Sequence, residues 1–227
     1  MRTSRGTSRG GISPGKPLPF GANPNERGTQ FSVFSRHATA VSLLLFDAPE
    51  DERPSREIEL DPRLNRTGDV WHAQVEGAGP GTCYLYRVAG PWEPEKGHRF
   101  DPHKLLLDPY VKAVAGNYTW NLPHRMPKGI VIADDFDWQG DRPLARPMRY
   151  SVIYETHVRG LTLSPSSGVA HPGTFRGVIE KIPYLQDLGV TALELLPVQE
   201  FDELENTRVN PRTGERLRNY WGYNTIT

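Results

Sequence analysis

Glu155, His157 and Glu194 are the side chains whose types and spacing would allow acid-base chemistry in this chain. Hydrolysis of a glycosidic bond needs two carboxyl groups across it, one to protonate the leaving oxygen and one to attack or to activate water. Glu155 falls in Val152–Val158 and Glu194 in Thr191–Val198, two apolar runs that read as strands with an amphipathic helical stretch between them. The pair therefore sits on adjacent strands of a strand-helix-strand unit. Both glutamates are mid-strand, however, whereas parallel β/α barrels take their catalytic groups from the C-terminal ends of strands and the loops that follow. Alternation sends Glu155 and His157 to one face, and with Glu194 they form a satisfied polar core inside a completed barrel.

The loop side of the same unit carries the segment Asn219-Tyr220-Trp221-Gly222-Tyr223-Asn224-Thr225. Trp221 and Tyr223 offer ring faces to the apolar side of a sugar, with polar tips left to hydrogen-bond, and Gly222 permits close backbone approach. Ordinary packing of these rings is the competing reading. His98, Asp101 and His103 have no standard zinc spacing, and the acidic run Asp134, Asp135, Asp137 lacks the glycine and terminal glutamate of a calcium loop. Trp71 lies within an alternating strand and reads as core, whereas Trp92 suits either a glycan-binding surface or packing. No phosphate-cradling glycine loop and no nucleophile elbow is present in the sequence.

The elements that position these residues fall into two parts. From Thr29 to Ala89 the segments TQFSVF, AVSLLLF, REIEL, VWHAQV and TCYLYRVAG, separated by turn residues, predict an antiparallel β-sandwich. Phe31, Val33, Phe34, Leu43, Leu45, Trp71, Val75, Tyr84 and Tyr86 are its expected inward or cross-sheet positions, with Cys83 packed beside them as a small hydrophobe. From Gly90 to Tyr150 prolines interrupt every pattern, although Leu105, Leu106, Leu107 and Val111 can cover a core. The expected division is a flexible basic tail over 1–16, a sandwich over 17–118, a connecting segment over 119–150 packed on both domains, and an α/β segment over 151–227. In the last of these, Thr174 caps a helix whose Phe175, Val178, Ile179, Ile182, Leu185 and Leu188 recur at helical spacing. Pro183 either kinks that helix or restarts it, and Gly189 ends it.

Composition narrows the partners. Lys+Arg and Asp+Glu both number 27, so no charge excess favours nucleic acid or an anionic membrane. Arg2, Arg5 and Arg9 read as a flexible tail rather than an RNA-binding arm. No apolar run reaches a membrane span or follows the basic N-terminus as in a secretory signal. Cys83 is the single cysteine, so no internal disulfide forms and a cytoplasmic location is expected.

The segments KPLPFGA (16–22), GPGTCYLYRVAGPWEPEKGHRFDPHKLLLDPY (79–110), VIYETHVRGLT (152–162), LGVTALELLPVQEF (188–201) and NYWGYNT (219–225), in this order, closely resemble the N-terminal part of bacterial glycogen debranching enzymes of the isoamylase type, in the α-amylase superfamily. The resemblance runs from about Pro17 to the end of the chain. It implies an immunoglobulin-like, glycogen-binding-type β-sandwich followed by the first two β/α elements of an incomplete (β/α)8 TIM barrel. It also implies retaining hydrolysis of α-1,6-glucosidic branch links in glycogen or limit dextrin, with Tyr223 stacked on sugar at the cleavage point. The family's catalytic carboxylates follow later strands than the two recognised here, so no catalytic residue is carried over, and this chain alone is expected to be inactive. Some members hold calcium near the loop after strand two; only Glu200 corresponds, with Phe201 where an oxygen ligand is wanted, so neither metal nor cofactor is expected. Glycogen or another branched α-glucan is the expected partner, with a non-catalytic glucan-binding module or a structural packing unit as alternatives. Two lone parallel strands leave bare apolar surface, so 151–227 is expected to aggregate or to be partly disordered.

Overall fold

The computed structural model describes residues 11–116, 127–133 and 135–226. Arg2, Arg5, Arg9 and Asp134 lie outside them. The chain divides into two compact units, one up to Asp135 and one over Phe136–Ile226.

The first unit is built from short strands. Its N-terminal half holds β1 (Ile12–Ser13), β2 (Gly21–Asn25), β3 (Gly28–Phe34), β4 (Ala40–Phe46) and β5 (Arg56–Glu59). Then follow β6 (Arg66–Thr67), β7 (Val70–Val75), β8 (Cys83–Ala89), β9 (Trp92–Glu93), β10 (His98–Arg99), β11 (Val114–Ala115) and β12 (Lys128–Ile130). One antiparallel sheet runs β1-β7-β3-β2, with β6 beside β7, and the other runs β11-β12-β8-β4-β5. The inner faces of both sheets share one core. Phe31, Val33, Trp71, Ala73 and Val75 come from the first sheet, and Val41, Leu43, Leu45, Tyr84, Tyr86 and Val88 from the second. The antiparallel sandwich expected from alternation is thus present.

Parity decides the one misplaced residue among the nine expected inward or cross-sheet positions. Phe31 and Val33 point inward, so Phe34 points outward, and it is 47% exposed beside the Arg36 guanidinium. The remainder of that outer face carries Gln30, Ser32, His72 and Gln74, all buried beneath the segment before β2. Ser32 Oγ donates to Pro17 O at 2.6 Å, Gln30 Nε2 donates to Leu18 O at 3.0 Å, and His72 Nδ1 lies 2.7 Å from Pro14 O. The second sheet is apolar on both faces, as the uninterrupted run SLLLF requires. Its outer face gathers Leu44, Phe46, Cys83 and Leu85 under Leu105, Leu107 and Ile130. Leu106 instead pairs with Tyr86 in an antiparallel bridge, N–H to carbonyl in both directions at 2.9 and 2.8 Å, and stays exposed.

The second unit contains β13 (Ile153–Thr156), α1 (Val158–Thr162), α2 (Phe175–Glu180), α3 (Ile182–Asp187) and β14 (Ala192–Leu195). β13 and β14 pair in parallel, with Glu155 opposite Glu194. Both strands are shorter than the apolar runs suggested. The first stops at Thr156 because His157 turns to cap α1. Thr174 caps α2 as expected, its Oγ1 accepting from Gly177 N at 3.2 Å, and Pro183 begins a new helix in place of kinking one. Of the six apolar positions read as a helix face, Val178 and Leu185 are buried while Phe175, Ile179, Ile182 and Leu188 are exposed. Two strands are too narrow a platform to cover that stripe. The bare apolar surface expected here is present, on Ile153, Tyr154, Leu193 and Leu195.

Candidate functional site

The C-terminal end of β13 meets the 219–225 loop through the rings of His157, Tyr220 and Trp221. His157 Nδ1 accepts from Gly160 N at 3.0 Å, which leaves the proton on Nε2, and Nε2 faces Tyr220 O at 3.0 Å. One imidazole therefore caps a helix and ties down the 219–225 loop. Its ring stacks on Tyr220 at 4.7 Å and 19°, while Trp221 stands edge-on to His157 at 5.8 Å and to Tyr220 at 5.5 Å. Trp221 is braced on two sides and still 56% exposed.

Gly222 is buried at φ +76°, and a Cβ there would come within 3.1 Å of Pro197 O and 3.3 Å of the Phe201 ring. Only glycine fits, for both reasons. Asn219 closes the turn: its Oδ1 accepts from Gly222 N at 3.2 Å, and its Nδ2 donates to Tyr223 O and Glu205 Oε1, both at 2.8 Å. Glu205 also accepts from Asn224 Nδ2 at 3.1 Å, and Ile226 N donates to Glu200 O at 2.7 Å. Tyr223, 55% exposed, thus projects from a backbone fixed on both sides. Trp221 and Tyr223 flank Gly222 without ring contact between them. The spacing of the two asparagines around this loop was a legible signal for the turn; the roles of His157 and Glu205 come from residues distant in the chain.

Glu155 and Glu194 are neighbours in register, but they are exposed and neither side chain makes a hydrogen bond or ion pair among the described residues. Among the described residues β13 and β14 pair only with each other, and His157 has left the strand, so the three side chains do not come together here. Among the described residues no cluster of three His, Cys, Asp or Glu is placed to hold a metal ion. Asp101 and Asp137 close local turns instead, accepting from His103 N and Gln139 N.

On the sandwich, the two tryptophans part ways. Trp71 is wholly buried, its Nε1 donating to Ser35 O at 3.2 Å, whereas Trp92 is 61% exposed on the β9-β10 hairpin opposite Arg99. Burial pushes the Cys83 thiol up, away from the reactive thiolate, and lowers Lys128, whose Nζ donates to Pro49 O at 2.6 Å above the Phe46 ring. Asp108, absent from the sequence-based candidates, is buried at the core edge. Its Oδ2 accepts from Tyr84 Oη at 2.9 Å and its Oδ1 from Tyr110 N at 2.8 Å. Burial raises its carboxyl above the ordinary range, against the pull of both hydrogen bonds.

Residues 19–111 match the family model of carbohydrate-binding module 48, the isoamylase N-terminal domain. That match takes in the sandwich from β2 to β10. Across 95% of its length the chain is 39% identical to the chloroplastic isoamylase 1 of Arabidopsis thaliana and 42% identical to a glycogen debranching enzyme of Yersinia pestis. It spans 29% and 33% of those two relatives. Among solved structures, the pullulanase from Bacillus acidopullulyticus superposes on 83% of the chain with a TM-score of 0.66 at 25% identity, covering 23% of that chain. The pullulanase from Paenibacillus barengoltzii, in complex with maltohexaose and alpha-cyclodextrin, covers 81% with a TM-score of 0.60 at 25% identity, and 28% of that chain. The likeness to the isoamylase, the glycogen debranching enzyme and the pullulanases thus extends beyond residue 111. No described helix is long and apolar enough to cross a membrane.

Proposed function

We propose that this chain supplies the glucan-binding sandwich and the opening β/α elements of a retaining α-1,6-glucosidase that debranches glycogen or limit dextrin. On this reading the sandwich is immunoglobulin-like, and β13 and β14 are the first two strands of a (β/α)8 barrel. The observation that carries it is the 219–225 loop, which holds Trp221 and Tyr223 exposed on a fixed backbone at the C-terminal end of a parallel strand pair. This is the end on which barrel enzymes assemble their sites. The similarity to glycogen debranching enzymes over nearly the whole chain supports glycogen as the substrate. Trp221 and Tyr223 are assigned to sugar stacking. Glu155 and Glu194 have no catalytic role, so residues 1–227 alone release no reducing ends from glycogen.

Trp92 favours a second reading, in which the sandwich binds glucan without catalysis, because its indole is open to a flat ligand on a short hairpin. Affinity electrophoresis through glycogen gels separates the two. Removing one stacked ring costs about 1 kcal/mol, roughly a fivefold loss of affinity. Loss of retardation in Trp221→Ala and Tyr223→Ala supports the barrel-side platform, and loss in Trp92→Ala alone supports the module. Migration of the parent chain unretarded by glycogen refutes glucan binding by this segment, and reducing-end release that survives Glu155→Gln refutes the expected inactivity of residues 1–227 alone.

A further inference from the structure

The direction in which a side chain leaves the backbone is set by the two peptide planes that flank its Cα, since φ and ψ are the only soft rotations there. At Trp221 each of those planes is held by one side chain. The plane before it carries the Tyr220 carbonyl, which accepts from His157 Nε2 at 3.0 Å, and the plane after it carries Gly222 N–H, which donates to Asn219 Oδ1 at 3.2 Å. The His157 ring is itself fixed through its other nitrogen, because Nδ1 accepts from Gly160 N at the start of α1. It also stacks on Tyr220 and stands at 81° to Trp221, so the indole is bounded by ring as well as by backbone.

Tyr223 is held by other means. Its carbonyl accepts from Asn219 Nδ2 at 2.8 Å, and among the described residues His157 makes neither a hydrogen bond nor a ring contact to it. The two rings assigned to sugar thus depend on different anchors, and only one of those anchors comes from the β13–α1 junction.

We propose that His157 is a positioning residue for glucan recognition, one that orients Trp221 and leaves Tyr223 to Asn219. The recognition half rests on the assignment of Trp221 and Tyr223 to sugar stacking; the orientation of Trp221 does not. The test separates the two bonds of the imidazole. In His157→Asn the amide oxygen takes the place of Nδ1 and still caps α1, as asparagine does well, but nothing reaches Tyr220 O; His157→Ala loses both bonds. With the full chain labelled with 5-fluorotryptophan, the 19F line of Trp221, identified by its absence in Trp221→Phe, is expected to narrow in both variants, while the thermal midpoint lost in His157→Ala returns in His157→Asn. Tyr220→Leu, which keeps the carbonyl and removes one brace of the indole, should narrow the same line. In glycogen affinity gels His157→Asn should weaken binding by about threefold to fivefold, up to the worth of one stacked ring. That loss should vanish in a Trp221→Ala background and persist in full in a Tyr223→Ala background. A line that stays broad in His157→Asn, or a loss of affinity that is the same with and without Trp221, overturns the proposal. If the parent chain migrates unretarded, the glucan reading falls and the recognition role with it, while the fluorine line still decides whether His157 orients Trp221.

Discussion

The hydrogen bond between Tyr84 and Asp108 should behave as a unit whose halves are worth more apart than together. Asp108 is 1% exposed and Tyr84 likewise 1%, so neither can turn to water when its partner is lost. Asp108→Ala leaves the Tyr84 hydroxyl buried without an acceptor and also frees Tyr110 N, which is close enough to the surface to hydrate. One stranded buried hydroxyl costs about 1–3 kcal/mol, and the lost second bond with the small void adds about 1 kcal/mol more. Tyr84→Phe removes the donor and leaves a buried carboxylate with one bond, for a cost of about 1–3 kcal/mol. In the double variant neither group is stranded, so its cost should fall short of the sum by about 1–2 kcal/mol. Hydrogen exchange of the β4 and β8 amides measures this directly, because that pairing lies at the centre of the sandwich and opens with it. An Asp108→Ala variant within about 0.5 kcal/mol of the parent, or strictly additive single costs, would refute the argument that this pair is a coupled, desolvated contact.

The same carboxyl sets a pH dependence. Burial raises Asp108 in the folded state above its ordinary value of 3.8, so between the two values the folded chain holds a proton that the unfolded chain has released, and rising pH favours unfolding. Its stabilising contribution is fully present below the ordinary carboxylate range and is lost as pH rises through the raised value; exchange-derived stability should fall over that window in the parent and flatten in Asp108→Asn. Parity on β3 gives a sharper contrast. Phe31, 2% exposed and edge-on to Tyr84 at 5.1 Å, should cost about 3–5 kcal/mol on replacement by Ala, whereas Phe34→Ala should stay within about 1 kcal/mol in the same measurement.

The five main sandwich strands were legible because their apolar residues alternate or run without a break, and either pattern fixes which faces are covered. Phe34 was misread because a second aromatic in TQFSVF invites burial that the pleat forbids. Leu106 was misread for a different reason: it contributes its backbone to β8 rather than its side chain to a core, and composition carries no trace of that. In the second unit, Thr174 and Pro183 announced the helix starts through local chemistry, which survives whatever packs nearby. Burial of the helix stripe depends on neighbours, and there the periodicity of Phe175, Ile179, Ile182 and Leu188 overstated what two strands can cover. Trp221, Gly222 and Tyr223 stood out by residue type alone. The ties that hold them, His157 to Tyr220 and Asn219 to Glu205, join positions far apart in the chain and needed the fold to bring them together.

Strand β12 has a consequence for the order in which the sandwich is finished. It supplies hydrogen-bonding neighbours for Cys83 and Tyr84 of β8 from a point far downstream, while Leu106 serves Tyr86 earlier on the same margin. A nascent chain that has emerged only as far as Gly116 therefore presents half of that margin unsatisfied, flanked by Leu44, Phe46 and Leu85, which is the combination that recruits a stranger's strand. Any version of the module made by trimming should retain Lys128 to Val131, or it will carry an adhesive seam into solution.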